Sequence, residues 1–294
     1  MKNQETSQSV QRMIYASDPL ARLLMDRLGL RQHTMALIGL GWGVVYLFVL
    51  PAIFGSLGSR DGYLGSMADW HAQILLLLVF PLTCAFYVWQ PRAIAGVYEA
   101  MGLQWGVVDA GKAYRSRLWL CVSIIVASGV VVFDSPKMVA GYGSWWMTQN
   151  WLTILGREAS LAVAFYVLSM MAWRQFVTTR EWRRLLVSPS AGTGLKAASA
   201  YQLSWALLLA LLALRLSIEG IELPQRAGAL TPDYYLKAAG YAIASVMCFF
   251  TPIWGALRKE GGLPVDQLAL WLEWAGIVAL PVFGFIVLRL VLGP

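Results

Sequence analysis

The chain has 294 residues, of which 58% are hydrophobic and 13% are charged, and its mean hydropathy is +0.59. A soluble globular domain carries about 25% charged residues, so the composition excludes an ordinary soluble domain and indicates a polytopic helical membrane protein. The formal net charge of +7 is spread over the connections between apolar stretches, and we predict no nucleic-acid partner.

Residues 1–33 are predicted to form a cytoplasmic N-terminal segment that contains an amphipathic helix. Ser17 or Asp18 can cap this helix, Pro19 fits its first turn and Gly29 can end it. Four leucines share one of its faces: Leu20, Leu23, Leu24 and Leu28. The pattern predicts a helix that lies on the membrane surface or packs on the transmembrane bundle. Binding of a soluble cytoplasmic partner is the alternative use.

Residues 34–294 are predicted to form a single domain of seven transmembrane helices. A helix needs about 20 apolar residues to cross a bilayer, and seven stretches of the chain approach that length. The predicted spans are 34–56, 70–90, 116–134, 151–173, 201–222, 235–256 and 267–291. The predicted fold class is therefore an all-α polytopic membrane bundle, with amphipathic surface helices on its cytoplasmic side.

The distribution of basic residues predicts the orientation of the bundle. With seven spans, sixteen of the twenty-three Lys and Arg residues lie on the side of the N-terminal segment. Cytoplasmic connections carry an excess of Lys and Arg, so the N-terminus is predicted to be cytoplasmic and the C-terminus to lie outside. Removing one internal span would destroy this alternation. Short connections favour the bacterial inner membrane as the location.

Two longer cytoplasmic connections have features of their own. Apolar residues recur at helical spacing through 92–108, which predicts a helix lying on the membrane surface. Residues 179–196 begin with a basic turn and continue into a linker rich in Ser and Gly. Arginines at the inner leaflet attract anionic lipid by about 1 kcal/mol each, so anionic lipid is a predicted partner at this face.

Charged residues interrupt the predicted spans near their outer ends. Arg157 and Glu158 lie about 9–10 Å along the helix from Trp151, the outermost residue of span four. In span five, Arg215 and Glu219 are four residues apart and share a helix face. Ionisable residues in a membrane usually face a bundle interior or a wet cavity. We predict an outer polar cluster on the wall of an outward-facing vestibule, composed of Arg157, Glu158, Arg215, Glu219 and Arg289.

Structural roles are the alternative for these charges. They can join helices to one another, or extend to the outer headgroups, or sit at the surface if 145–156 forms an interfacial turn. Adjacent residues point about 100° apart on a helix, so Arg157 and Glu158 are not expected to face one cavity together. Glu273 is an inner-side acidic candidate for proton or cation transfer, although its flanking tryptophans favour a place at the inner interface.

The inventory of catalytic side chains is small. His33 and His71 are the only histidines, and they lie at opposite ends of the first two predicted spans. They therefore cannot jointly bind haem or a metal, and nothing in the sequence supports a nucleophilic triad. We predict no catalytic residue, no cofactor, no metal site and no enzyme activity.

Two classes of function fit these observations. The first is a channel or transporter that uses the outer polar cluster. The second is a non-catalytic subunit or scaffold of a larger membrane complex of the secretion, conjugation or respiratory type, in which the charges within the spans bind partner helices. Membrane-protein partners or a homo-oligomer belong to this second prediction. The concentration of charge at one depth favours transport, whereas the small catalytic inventory and the absence of a convincing internal repeat favour a subunit.

Overall fold

The computed structural model describes residues 10–59, 65–100, 111–112, 114–139 and 151–185, together with isolated positions between 198 and 212. These residues are predominantly helical, and no strand occurs among them. They form two compact units, one from the described residues of 1–95 and 105–177 and the other from those of 96–104 and 178–294. The all-helical fold class is thus confirmed for the part of the chain that is described.

The described helices are numbered here in chain order. Helix α1 covers 10–15, and α2 joins Pro19–Arg22 to a π-helical turn, Leu23–Arg27. Helix α3 consists of Gln32–Val44, the π-helical turn Val45–Val49 and Leu50–Phe54. After a short 3-10 turn at Ser66–Ala68, α4 consists of Trp70–Ile74, the π-helical turn Leu75–Val79 and Phe80–Ala100. Helices α5 and α6 are Arg117–Val139 and Trp151–Leu185.

Three of these helices contain stretches long and apolar enough to cross a membrane, namely Gln32–Phe54, Ala72–Ala100 and Ile154–Trp182. They correspond to the predicted spans one, two and four, and they are compatible with a membrane protein. Helix α5 overlaps the predicted span three and contains a shorter apolar stretch, Arg117–Val132. Spans six and seven lie outside the described residues, as does most of span five. The count of seven spans stays a prediction.

Helices α3 and α4 are antiparallel and approach each other at two glycines of α3. A Cβ atom on Gly39 would lie 2.9 Å from Pro81 Cα, and one on Gly43 would lie 2.3 Å from the carbonyl oxygen of Leu76. The two backbones are therefore closer than any larger residue would allow, as is typical of small residues at membrane helix contacts. The core beside this contact contains Tyr46, Leu47, Ala72 and Leu76.

Each of these two helices has a π-helical turn that ends two residues before a proline. In α3 the N–H of Leu50 donates to the carbonyl of Val45, and Pro51 follows. In α4 the N–H of Phe80 donates to the carbonyl of Leu75, ahead of Pro81. Proline has no N–H and its ring crowds the preceding turn. A widened turn directly upstream accommodates that defect without ending the helix.

Helix α4 differs from the sequence prediction at its C-terminal end. Span two was predicted to stop at residue 90, before a separate surface helix over 92–108, but α4 continues through Pro91 to Ala100. Ile94 and Val97, which were expected on the membrane surface, are buried. Proline is tolerated within membrane helices because neighbouring groups compensate the lost hydrogen bond, and α4 accordingly continues past Pro91.

Aromatic side chains fill the described core of the second unit. The ring of Trp182 contacts Tyr98 edge-on at a centroid distance of 6.4 Å and Tyr201 at 5.4 Å. All three side chains are buried. Edge-to-face pairs of this kind contribute about 0.5–1.5 kcal/mol beyond their buried area.

Candidate functional site

The most buried charged group among the described residues is a carboxylate from the N-terminal segment. Asp18 Oδ2 accepts a hydrogen bond of 2.5 Å from Arg174 Nη2 and another of 2.5 Å from the Tyr87 hydroxyl. Asp18 Oδ1 accepts from the Tyr166 hydroxyl at 2.8 Å and from the backbone N–H of Ala21 at 3.1 Å. We call Asp18, Tyr87, Tyr166 and Arg174 the buried carboxylate cluster.

Three helices position the four members of this cluster. Asp18 is the N-cap of α2, with extended backbone angles that aim its side chain at the first turn. Tyr87 projects from α4, while Tyr166 and Arg174 are eight residues apart on α6. Arg174 Nη1 also donates to the carbonyl of Tyr87 at 3.4 Å, and its guanidinium carbon lies 4.8 Å from the centre of the Tyr87 ring. The guanidinium is therefore oriented by α4 as well as by Asp18.

The cluster is a means of positioning rather than a large source of stability. The side chains of Asp18 and Arg174 are 0% and 1% exposed, and taking two charges out of water costs several kcal/mol per ion. Hydrogen bonds to charged groups contribute about 1.5–3 kcal/mol each, and four donors on one carboxylate offset that cost. Losing one partner would leave a buried charge without compensation, so the cluster strongly fixes the place of the N-terminal segment.

The apolar face of α2 is only partly covered, whereas Val10, Ile14 and Tyr15 of α1 are buried. Ser17 Oγ donates to the carbonyl of Tyr114 at 3.1 Å, and Ala21 is fully buried. By contrast Leu23 and Leu28, on the predicted apolar face, are 42% and 57% exposed. The sequence left open whether this helix lies on the membrane or packs on the bundle. In the structure its N-terminal turn packs on the bundle, and two leucines of its apolar face remain exposed.

A second polar contact within the N-terminal segment involves the hydroxyl of Tyr15. The Tyr15 hydroxyl donates to Asp26 Oδ1 at 2.7 Å, and Arg12 Nε lies 3.6 Å from the same oxygen. Burial raises the pKa of Tyr15 to about 12, and the hydrogen bond to Asp26 and the negative charge of that residue act in the same direction. This contact joins α1 to α2.

Helix α6 also forms polar contacts with α4 and α5. Gln90 Nε2 donates to the carbonyl of Met171 at 3.0 Å, which joins α4 to α6. Trp119 Nε1 donates to the carbonyl of Ser169 at 3.0 Å, and the Ser123 and Ser169 hydroxyls are 2.9 Å apart, which joins α5 to α6. Buried polar side chains are usually hydrogen-bonded, and these contacts join α4 and α5 to α6.

The outer polar cluster is described only at two of its five residues. Arg157 Nη1 lies 2.6 Å from Glu158 Oε1, and the side chains are 13% and 14% exposed. They converge on each other although their Cα–Cβ directions diverge around the helix. Arg215, Glu219 and Arg289, together with the inner-side candidate Glu273, lie outside the described residues. The vestibule and the joint cluster therefore stay predictions.

The second oxygen of Glu158 is the distinctive feature of this pair. Glu158 Oε2 is buried and has no hydrogen-bond partner among the residues that the structure describes. A buried carboxylate oxygen without a donor costs about 1–3 kcal/mol or more, and such groups in a native fold call for a bound water, ion or ligand. The pair can thus accept a further donor or a cation.

The face of α6 beside this pair packs on α3. Gly156 lies where a Cβ would be 3.5 Å from Tyr46 Cε2 and 3.7 Å from Trp42 Cζ2. Trp42 Nε1 donates to Ser160 Oγ at 2.9 Å, and Ser160 in turn donates to the carbonyl of Gly156 at 2.6 Å. The two aromatic rings stack on each other with centroids 6.0 Å apart. These contacts join α6 to α3 on either side of the Arg157–Glu158 pair in the chain.

The sequence did not reveal the buried carboxylate cluster. The prediction named Ser17 or Asp18 as a helix cap and nothing more, and the structure shows Asp18 as the N-cap. Arg174 directly follows the predicted span four, 151–173. In the sequence, Tyr87 and Tyr166 cannot be distinguished from the other aromatic residues of the predicted spans. The one available signal was Arg174 itself, an arginine directly after an apolar stretch, because such a charge requires a partner if the helix continues past it.

The described residues contain no group of three or more His, Cys, Asp or Glu side chains arranged to hold a metal ion. Comparison of the chain with known protein families, with characterised proteins and with solved structures finds no match to any of them.

Proposed function

We propose that this protein is a channel or transporter whose outer polar vestibule includes Arg157 and Glu158. The observation that carries this proposal is the buried Glu158 Oε2, which has no donor among the described residues. A purely structural ion pair would be expected to have both carboxylate oxygens satisfied. A permeating cation, or a solute with hydrogen-bond donors, would supply the missing partner.

The depth of the pair supports this proposal. Arg157 precedes Arg174 by seventeen residues of one continuous helix, which is about 25 Å. The hydrocarbon core of a bilayer is about 30 Å thick. With Arg174 near one interface, Arg157 and Glu158 fall close to the other but still below it. We place them on the outside, with the N-terminus in the cytoplasm of a bacterial cell.

The proposal is tested by flux through the purified protein in lipid bilayers. Conductance for Na⁺, K⁺ and Cl⁻, and proton uptake with a trapped pH dye, would be measured for the wild type, Glu158→Gln and Arg157→Ala. We expect both substitutions to change the flux or its ion selectivity at least several-fold, while the proteins remain folded. Arg180→Ala is the matched control, because Arg180 is an exposed arginine near the other end of α6.

Unchanged flux in folded Glu158→Gln and Arg157→Ala proteins would exclude a permeation role for the pair. The orientation is tested separately with alkaline phosphatase fused after residue 60 and after the C-terminus. Enzyme activity in both fusions, and its absence in a fusion after residue 112, is the expected pattern.

A complex subunit is the second candidate, and an exposed apolar stripe on α5 is compatible with it. Leu118, Ile125 and Val132 are seven residues apart and are 75%, 68% and 64% exposed. Such a stripe suits a partner helix as well as lipid. Purification in mild detergent followed by native mass measurement distinguishes the two functions. A foreign subunit at constant stoichiometry would favour the subunit function, whereas a monomer or homo-oligomer would favour transport.

A further inference from the structure

We propose that Arg174, Tyr87 and Tyr166 form an oxyanion-binding site, which Asp18 occupies as a built-in ligand. The site lies within α4 and α6, toward the predicted cytoplasmic ends of spans two and four, and both helices continue past it to Ala100 and Leu185. It is separate from the Arg157–Glu158 pair, and the inference does not depend on the proposed transport function. The ligand class is a carboxylate or phosphate group, either from a soluble molecule or from the headgroup of an anionic lipid.

The donors of this site belong to the bundle and the acceptor does not. The two hydroxyls and the guanidinium come from α4 and α6, whereas Asp18 belongs to the N-terminal segment, more than sixty residues from any of them in the chain. A guanidinium with flanking hydroxyl donors matches the geometry of carboxylate and phosphate oxygens. The bonds from Arg174 to the carbonyl and ring of Tyr87 do not involve Asp18, so they would preserve the donor arrangement after its removal.

The cost of burying Arg174 implies that another oxyanion must replace the Asp18 carboxylate when that carboxylate leaves. The side chain of Arg174 is 1% exposed, and removing the carboxylate from a buried ion pair is strongly unfavourable. Withdrawal of the N-terminal segment is therefore coupled to the arrival of another oxyanion, and each event must favour the other. Leu23 and Phe176 are exposed apolar residues that are close in sequence to Asp18 and Arg174. The acyl chains of a lipid could contact them while its headgroup binds at the site.

The test is chemical rescue of Asp18→Ala in the full-length protein. The variant is placed in nanodiscs of zwitterionic lipid, and its Tm is measured with increasing acetate or phosphate at constant ionic strength, with chloride as the balancing anion. We expect the substitution to lower the Tm and acetate or phosphate to restore at least half of the loss. The matched control is Asp26→Ala, since Asp26 is another carboxylate of the same segment that bonds Tyr15 instead. It should show no such recovery.

Two further arms identify the source of the oxyanion and the site. Replacing the zwitterionic lipid by phosphatidylglycerol should restore Asp18→Ala without added oxyanion if the ligand is a lipid headgroup, and should leave it unchanged if the ligand is soluble. The double variant Asp18→Ala/Arg174→Gln should lose the recovery in every condition.

Several results would overturn the proposal. One is the absence of recovery by acetate, phosphate and anionic lipid alike. Another is equal recovery in the double variant, because the effect would then not involve Arg174. If Asp18→Ala does not accumulate in any condition, Asp18→Ser is measured in the same way, since serine keeps a helix cap and is shorter than aspartate. Lack of an oxyanion response in that variant as well would also refute the site.

Discussion

The contact between α3 and α4 predicts a large difference between two neighbouring glycines. A methyl group on Gly43 would lie 2.3 Å from the carbonyl oxygen of Leu76 and 3.0 Å from its carbon. An ordinary contact begins near 3.4 Å, so Gly43→Ala requires the two backbones to separate by about 1 Å. The neighbour is a helix backbone and cannot rotate away as a side chain could. The whole interface beside it must therefore shift.

The magnitude follows from the packing that such a shift removes. Inserting a methyl group into a tightly packed site costs about 1–3 kcal/mol, since small gaps already forfeit much of the dispersion energy. At about 2–4 °C for each kcal/mol, which is typical of chains somewhat smaller than this one, the Tm should fall by roughly 2–12 °C. Gly41→Ala is the control, because a Cβ there meets nothing within 4 Å. Its stability should stay within about 1 kcal/mol of the wild type, the difference in helix propensity between the two residues.

The assay is thermal unfolding of both variants in one mild detergent, followed by tryptophan fluorescence. The chain has fourteen tryptophans, so the signal is strong. Equal Tm values for Gly43→Ala and Gly41→Ala would refute the reasoning, because the close approach of α3 and α4 would then not exist. A Tm loss in Gly41→Ala that matches or exceeds that in Gly43→Ala would refute it as well.

Three further predictions concern polar side chains. The pKa of Tyr15 is raised to about 12 by burial and by Asp26, so the stability of the wild type relative to Tyr15→Phe should be constant below about pH 10 and fall toward pH 12; a difference independent of pH would contradict this. Arg157→Ala and Glu158→Ala should be non-additive in thermal unfolding, with a coupling of about 0.5–3 kcal/mol, whereas strict additivity would show that the pair does not form. Ser160→Ala removes the acceptor of the Trp42 N–H bond between α3 and α6 and the donor to the Gly156 carbonyl within α6, and it should cost about 1 kcal/mol, measured in the same assay; an unchanged stability would contradict a structural role for this hydroxyl.

Hydropathy was sufficient to predict where the long apolar helices of the described part of the chain lie. The predicted ranges 34–56, 70–90 and 151–173 all fall on long apolar helices, because the need for about 20 apolar residues is a property of the local sequence. The boundaries were less accurate. Helix α4 continues past Pro91 and α6 continues to Leu185, since whether a helix stops depends on what its next turn packs against, and no local pattern contains that information.

The sites were predictable only where the partners are close in sequence. Arg157 and Glu158 could be identified as charges within a span because their apolar surroundings are adjacent to them. The bond between Asp18 and Arg174 joins positions 156 residues apart, and nothing in either local sequence names the other. Asp18 satisfied its local role as a helix cap, so its second, long-range role left no unexplained feature in the sequence.

The paired π-helical turns of α3 and α4 also have a mechanical consequence. Tyr46 and Leu47 belong to the turn in α3 and Leu76 belongs to the turn in α4, and these three side chains share one hydrophobic core. A widened turn beside a proline is the point where a helix bends most easily. Because the two compliant points are packed against each other, a bend in one helix changes the packing of the other. Helices α3 and α4 should therefore bend together, and the bend should lie at the level of Tyr46 and Leu76.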